Sequence, residues 1–110
     1  MEFNCPYWSM TTKINMLEDW ILVHSCLYYE KDISVVADFK FDSNAMQLVR
    51  MIEQNPKEFA KSEYAYVFDD FDGSTGYDLY RRLNAKHRIK IEERCLAIEN
   101  LIHNGKVRKL

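Results

Sequence analysis

The sequence predicts a mostly α domain, with at most one short strand or extended segment. Three observations carry that expectation. Only three Gly and two Pro occur in 110 residues, too few breakers for a turn-rich β fold. Three stretches repeat apolar residues at helical spacing. Only Tyr64-Ala65-Tyr66-Val67-Phe68 has the aromatic and β-branched composition of a strand, and a lone strand builds no sheet. The length suits one domain. Apolar residues at 47% and charged residues at 29% describe a folded, not a disordered, chain.

The elements follow in order. Residues 1–10, "MEFNCPYWSM", are aperiodic and read as an N-terminal arm. Thr11 or Thr12 is the expected N-cap of a helix over roughly 13–30. Ile14, Leu17 and Ile21 form its apolar stripe, Met16, Trp20, Val23 and Leu27 widen it, and Tyr28 stays in phase. Lys31-Asp32 ends this helix, and Ser34 to Ala37 makes an extended connector. Asp38 is the expected N-cap of a second helix, 39–54, whose apolar face is Phe41, Ala45, Leu48 and Ile52. Asn55-Pro56 stops it. Residues 13–56 thus form a helical pair. Residues 57–76 read as an extended link and acidic loop, in which Tyr64–Phe68 lies extended. Thr75 and Asp78 have capping-box spacing. A C-terminal helical unit, 77–104, carries Ile91, Cys95, Ile98 and Ile102 on one stripe, and Asn104-Gly105 closes it. The sequence leaves open whether 77–103 is one helix or two meeting near Asn84.

Charge and cysteines narrow the function. The net charge is −2 and the pI about 5.9, whereas a phosphate backbone demands a concentrated basic surface. Basic residues cluster only at Lys106–Leu110 and within the mixed run Arg81–Arg94, so direct nucleic-acid binding is not expected. Cys5, Cys26 and Cys95 have neither zinc-site nor disulfide-framework spacing, which points to reduced thiols in a cytoplasm. No apolar run reaches the roughly 20 residues of a membrane span, and the N-terminus lacks a signal-peptide pattern. His24, His87 and His103 are scattered, with no metal-ligand spacing.

The string "YVFDDFDGSTG", 66–76, invites three chemical readings. A phosphatase would use Asp70 as nucleophile and Asp72 as general acid with Mg²⁺, but the helical remainder cannot supply the parallel sheet. A nucleotidyl transferase needs a lysine where Asp70 stands. A hard-cation site from Asp69, Asp70 and Asp72 lacks the twelve-residue calcium-loop pattern. The plainer expectation is an acidic, glycine-punctuated loop. Asp69, Asp70, Asp72, Tyr77 and Tyr80 are then candidates for contact with a protein partner.

From His24 to Pro56 the chain reads HSCLYYEKDISVVADFKFDSNAMQLVRMIEQNP. The order Tyr28-Tyr29, Asp32, Val36, Asp38, Phe41-Asp42, Leu48, Pro56 resembles the N-terminal helical lid, subdomain Ia, of bacterial NAD-dependent DNA ligases. Phe41 stands where the family has Tyr, and Ser34 where it has Pro. The resemblance implies that Tyr28 stacks on a nicotinamide ring. It places Tyr29 near phosphate or ribose, and it makes Asp38 and Asp42 acceptors for ribose hydroxyls or the carboxamide. The chain has room for neither the nucleotidyl-transferase domain nor the adenylated lysine of a ligase. As a whole it is similar to small stand-alone ligase-lid relatives of phages and mobile elements. Two functions are therefore expected. The first is a non-catalytic binding protein, a phage- or element-encoded modulator or inhibitor acting by protein contact, with no catalytic residue, metal or cofactor. The alternative is a nicotinamide-nucleotide module binding NAD or nicotinamide mononucleotide (NMN) through Tyr28, Tyr29, Asp38, Phe41 and Asp42.

Overall fold

A computed structural model describes residues 6–74 and 76–110. Among these, four α-helices follow one another: α1 (Met10–Ser25), α2 (Asp38–Gln54), α3 (Pro56–Ala60) and α4 (Ala85–His103). A π-helical turn, Cys26–Glu30, extends α1, and a 3₁₀ turn, Tyr80–Arg82, precedes α4. No strand occurs among the described residues, so the mostly α expectation holds. The radius of gyration, 13.7 Å, is near the ~13 Å of one packed domain of about 100 residues.

Helix α1 is the central element. Its N-cap is Ser9, whose side chain accepts from the Thr12 amide at 3.1 Å. Thr11 and Thr12, the expected caps, already lie within the helix. Ile14, Leu17, Ile21 and Leu22 are fully buried against Ala45 and Leu48 of α2, Ile91 and Cys95 of α4, and Tyr64, Val67 and Phe68 of the link. Burial on several sides explains the wide apolar face. Tyr7 is 93% exposed, so this part of the expected arm does not pack on the domain; residues 1–5 lie outside the described residues.

The last turn of α1 departs from the straight helix that the periodicity predicts. From Cys26 to Glu30 the chain widens into π geometry, and the Lys31 amide donates to the Cys26 carbonyl, five residues back, at 3.2 Å. A π turn holds one residue more than an α turn, which shifts the phase of the residues beyond it. Tyr28, in phase with the buried stripe on paper, is therefore 50% exposed. Asp32, at φ +56°, then takes the left-handed conformation that Asp tolerates better than most residues. It turns the chain into the connector 33–37.

Two further expectations are corrected. Asp38 is the first helical residue of α2, not its N-cap; Ala37 holds the cap position and provides no side-chain cap. Pro56 does not merely stop α2. It opens α3, where its fixed φ suits the first helical position.

The segment Tyr64–Phe68 is not extended. It winds through successive turns, with the Val67 and Phe68 amides donating to the Tyr64 carbonyl at 2.9 and 3.2 Å. Tyr64, Val67 and Phe68 are consequently all buried on one side. The Tyr77–Leu83 stretch is a turn and a 3₁₀ turn, separated from α4 at Asn84, whose side chain accepts from the His87 amide at 2.8 Å. The 77–103 region is thus not one helix. Thr75 lies outside the described residues, and with it the expected capping box.

One carboxyl group sits in the core. Glu18 is fully buried. The Tyr64 amide donates to its Oε1 at 3.3 Å, and Ser62 Oγ lies 2.9 Å from its Oε2. Ser62 Oγ is also 2.7 Å from the Phe59 carbonyl, which can only accept. A hydroxyl has one proton, so when Ser62 gives it to Phe59 the Glu18 contact requires a protonated Glu18 that donates to Ser62. Burial accordingly raises the Glu18 pKa to about 8.

Candidate functional site

The π turn, the connector and the first turn of α2 surround a cleft of about 220 Å³. Its walls include Tyr28 and Tyr29 from the π turn, and Asp38, Phe41 and Asp42 from α2. These are the five residues that the sequence singles out for a nicotinamide ligand, and the fold brings all five to one place. Tyr28 and Tyr29 meet edge to face, with ring centroids 4.8 Å apart. Tyr77 extends this aromatic rim, edge-on to Tyr29 at 5.5 Å. Phe41 is partly buried and reaches Trp20, centroids 6.0 Å apart, so it serves core and cleft together.

Other lining residues were not legible as site residues. Ile33, Ser34, Val35 and Val36 form the connector wall. His24 lies at the end of α1, its ring 4.4 Å from that of Trp20. Burial lowers the His24 pKa to about 4, so the imidazole is neutral at physiological pH. Ser25 also lines the cleft. It is 1% exposed, and its hydroxyl has no hydrogen-bond partner. No spacing rule separates such a serine from an ordinary polar helix position.

Ser74 brings the acidic loop into the cleft. Asp72 shapes that loop, because its Oδ1 accepts from the Ser74 amide at 2.9 Å and from the Ser74 hydroxyl at 2.6 Å. Gly73 has φ +83°, a conformation natural to glycine. Gly76 is there for space: a Cβ on it would lie 2.2 Å from Ser25 Oγ and 3.2 Å from Phe41 Cζ. The loop therefore lies directly over two cleft residues.

The partner-binding candidates are differently placed. Arg82 holds Asp70 by an ion pair of 2.5 Å and Asp78 by one of 2.8 Å, and the hydrogen bond from Arg82 lowers the Asp70 pKa. The hydrogen bonds from Ser74 do the same for Asp72. Asp69 is exposed. The Tyr80 hydroxyl donates to Glu92 in a short hydrogen bond, and burial, then that bond, raises its pKa. Among the described residues, no group of three or more His, Cys, Asp or Glu side chains is arranged to hold a metal ion. Cys26 and Cys95, unrelated by spacing, are both buried free thiols. Cys95 gives its hydrogen bond to the Val23 carbonyl at 3.7 Å, and pairing with Cys95, then burial, pushes the Cys26 thiol up.

What the cleft offers is an aromatic clamp beside hydrogen-bond acceptors. Aromatic faces stack on flat or cationic rings. The Asp38 and Asp42 carboxylates, both exposed, accept from hydroxyl or amide donors. No protein-family model, curated protein or solved structure matches the chain. No helix among the described residues is long and apolar enough to cross a membrane.

Proposed function

We propose that this protein is a non-catalytic binding module for a nicotinamide-type ligand, related in design to the lid of NAD-dependent DNA ligases. One observation carries the reading. Tyr28, Tyr29, Asp38, Phe41 and Asp42, the residues that the ligase-lid resemblance implies, line a single cleft. In this reading Tyr28 stacks on the ring, Phe41 bounds it, and Asp38 and Asp42 accept from hydroxyl and carboxamide groups. Tyr29 and the connector set the depth of entry. The test is calorimetric titration with NMN and with NAD. Saturable binding that weakens by roughly 10- to 100-fold in Tyr28→Ala is expected; no heat at millimolar ligand contradicts the reading.

A second reading, a modulator acting through protein contact, is favoured by Ile89 and Leu96. They stand 61% and 56% exposed on α4, two turns apart, beside a shallow groove that Tyr80 and Glu92 also line. The acidic loop favours it less, since Asp70 and Asp72 are engaged within the chain. On this reading Leu96→Asp releases a co-purifying partner while Tyr28→Ala retains it.

A further inference from the structure

The charges around the cleft are one-sided. Among its described lining residues, Asp38 and Asp42 are acidic, none is Lys or Arg, and the one histidine, His24, is held neutral by burial. Lys31 and Arg81, which flank the aromatic rim, pair with Glu92 at 2.8 Å and Glu30 at 3.8 Å, and Arg81 also lies over the Tyr77 ring, 5.5 Å from its centroid. The first turn of α2 carries free backbone N–H groups that attract anions. Here, however, they stand beside that helix's own Asp38 and Asp42. A phosphate dianion in the cleft would face two carboxylates, and no Lys or Arg among the described lining residues would offset them.

A cationic ring meets the opposite conditions. Tyr28, Tyr29 and Phe41 offer π faces, whose negative quadrupole attracts cations. The two carboxylates add direct Coulomb attraction. A second observation points independently to a ligand: Ser25 lines the cleft and is 1% exposed, and its hydroxyl has no hydrogen-bond partner. A buried hydroxyl of this kind costs stability until something pairs with it. The carboxamide of a pyridinium nucleoside is a group of the right polarity.

We propose that the cleft selects a phosphate-free organic cation: an N-substituted pyridinium nucleoside of the nicotinamide riboside type, in preference to its 5′-phosphate or dinucleotide. The proposal rests on the nicotinamide reading and narrows its ligand class. It assigns Asp38 and Asp42 to charge selection and Ser25 to positioning.

The experiment titrates the full chain with three ligands at one pH and ionic strength: nicotinamide riboside, its neutral 1,4-dihydro form, and NMN. The riboside is expected to bind at least about tenfold more tightly than either of the others. In the Asp38→Asn/Asp42→Asn double variant that preference falls to within about threefold, with the melting temperature and the effect of Tyr28→Ala retained. If NMN binds as tightly as the riboside, and Tyr28→Ala weakens both, charge selection is overturned while the nicotinamide reading stands. Equal binding of the riboside and its dihydro form also overturns it. Binding of none of the three ligands removes both.

Discussion

Two acid-bearing segments of this chain look alike on paper and behave oppositely in the fold. The run Asp69, Asp70 and Asp72 is the more conspicuous, because it imitates enzyme motifs. Yet Arg82 takes up Asp70, and Asp72 folds its own loop around Ser74. Asp38 and Asp42 carry no motif of comparable fame, and they face a cleft with three aromatic side chains. Glu18 is the extreme of the first kind, an acid wholly enclosed by its partners. Local density of acidic residues is thus a poor guide to which carboxylates border the cleft. What separates Asp70 and Asp72 from Asp38 and Asp42 is whether the fold has already supplied the carboxylate with a donor.

That contrast can be broken or sharpened by experiment, beginning with the largest effect. Glu18 has its folded pKa raised to about 8 from an ordinary value of 4.5. The folded state therefore holds a proton that the unfolded chain gives up near pH 4.5. Stability is full below that pH and declines as pH rises through about 8, by an amount on the order of 5 kcal/mol. Denaturant melts between pH 5 and 9 measure the slope. Glu18→Gln, which keeps a neutral hydrogen-bonding amide, should flatten it. A wild-type chain that gains stability over this range refutes the buried acid.

Gly76→Ala comes next. Its Cβ would sit 2.2 Å from Ser25 Oγ, and overpacking of this kind costs about 1–3 kcal/mol. Melting temperature should fall and ligand binding should weaken together, because the collision displaces Ser25 and Phe41. An unchanged melting temperature would mean that the loop does not press on the cleft.

Tyr28→Ala separates ligand from fold. The residue is half exposed, so stability should hardly change. Ligand affinity should drop by roughly 10- to 100-fold, the range of a lost aromatic stacking contact of about 1–3 kcal/mol. Ser25→Ala should give a smaller, more telling result. The free protein loses an unsatisfied buried hydroxyl and becomes no less stable, while the complex loses several-fold in affinity. Asp70→Ala is the control at the bottom of the scale. It should leave ligand affinity unchanged and lower the melting temperature slightly, because Arg82 loses Asp70 and keeps Asp78 as an ion-pair partner.

Much of the architecture could be read from periodicity. The stripe Ile91, Cys95, Ile98 and Ile102 placed a helix in the C-terminal unit 77–104, and α4 spans Ala85–His103. The second helix, with Ala45 and Leu48 inward, was equally plain. Composition misled at Tyr64–Phe68, where aromatic and β-branched residues read as strand. Yet Tyr64, Val67 and Phe68 have i, i+3, i+4 spacing, and the fold follows the spacing. The π turn was illegible because a 3.6-residue period carries no sign of one added residue. That single insertion turns Tyr28 from a core position to a cleft wall. Of the cleft, the five residues carried by the ligase-lid resemblance were legible. His24, Ser25 and Ser74 were not. Their place depends on contacts between segments far apart in sequence, as the seating of Gly76 over Ser25 shows.

The central claim is that the functional acids are Asp38 and Asp42 beside Tyr28, and that the acidic loop contributes only its Ser74 wall. Amide chemical-shift mapping during titration with nicotinamide riboside tests this most directly. The account predicts saturable shifts confined to residues 24–42 and 72–77, with α4 silent. Shifts centred on Asp69, Asp70 and α4, with Tyr28 and Asp42 unmoved, would contradict it.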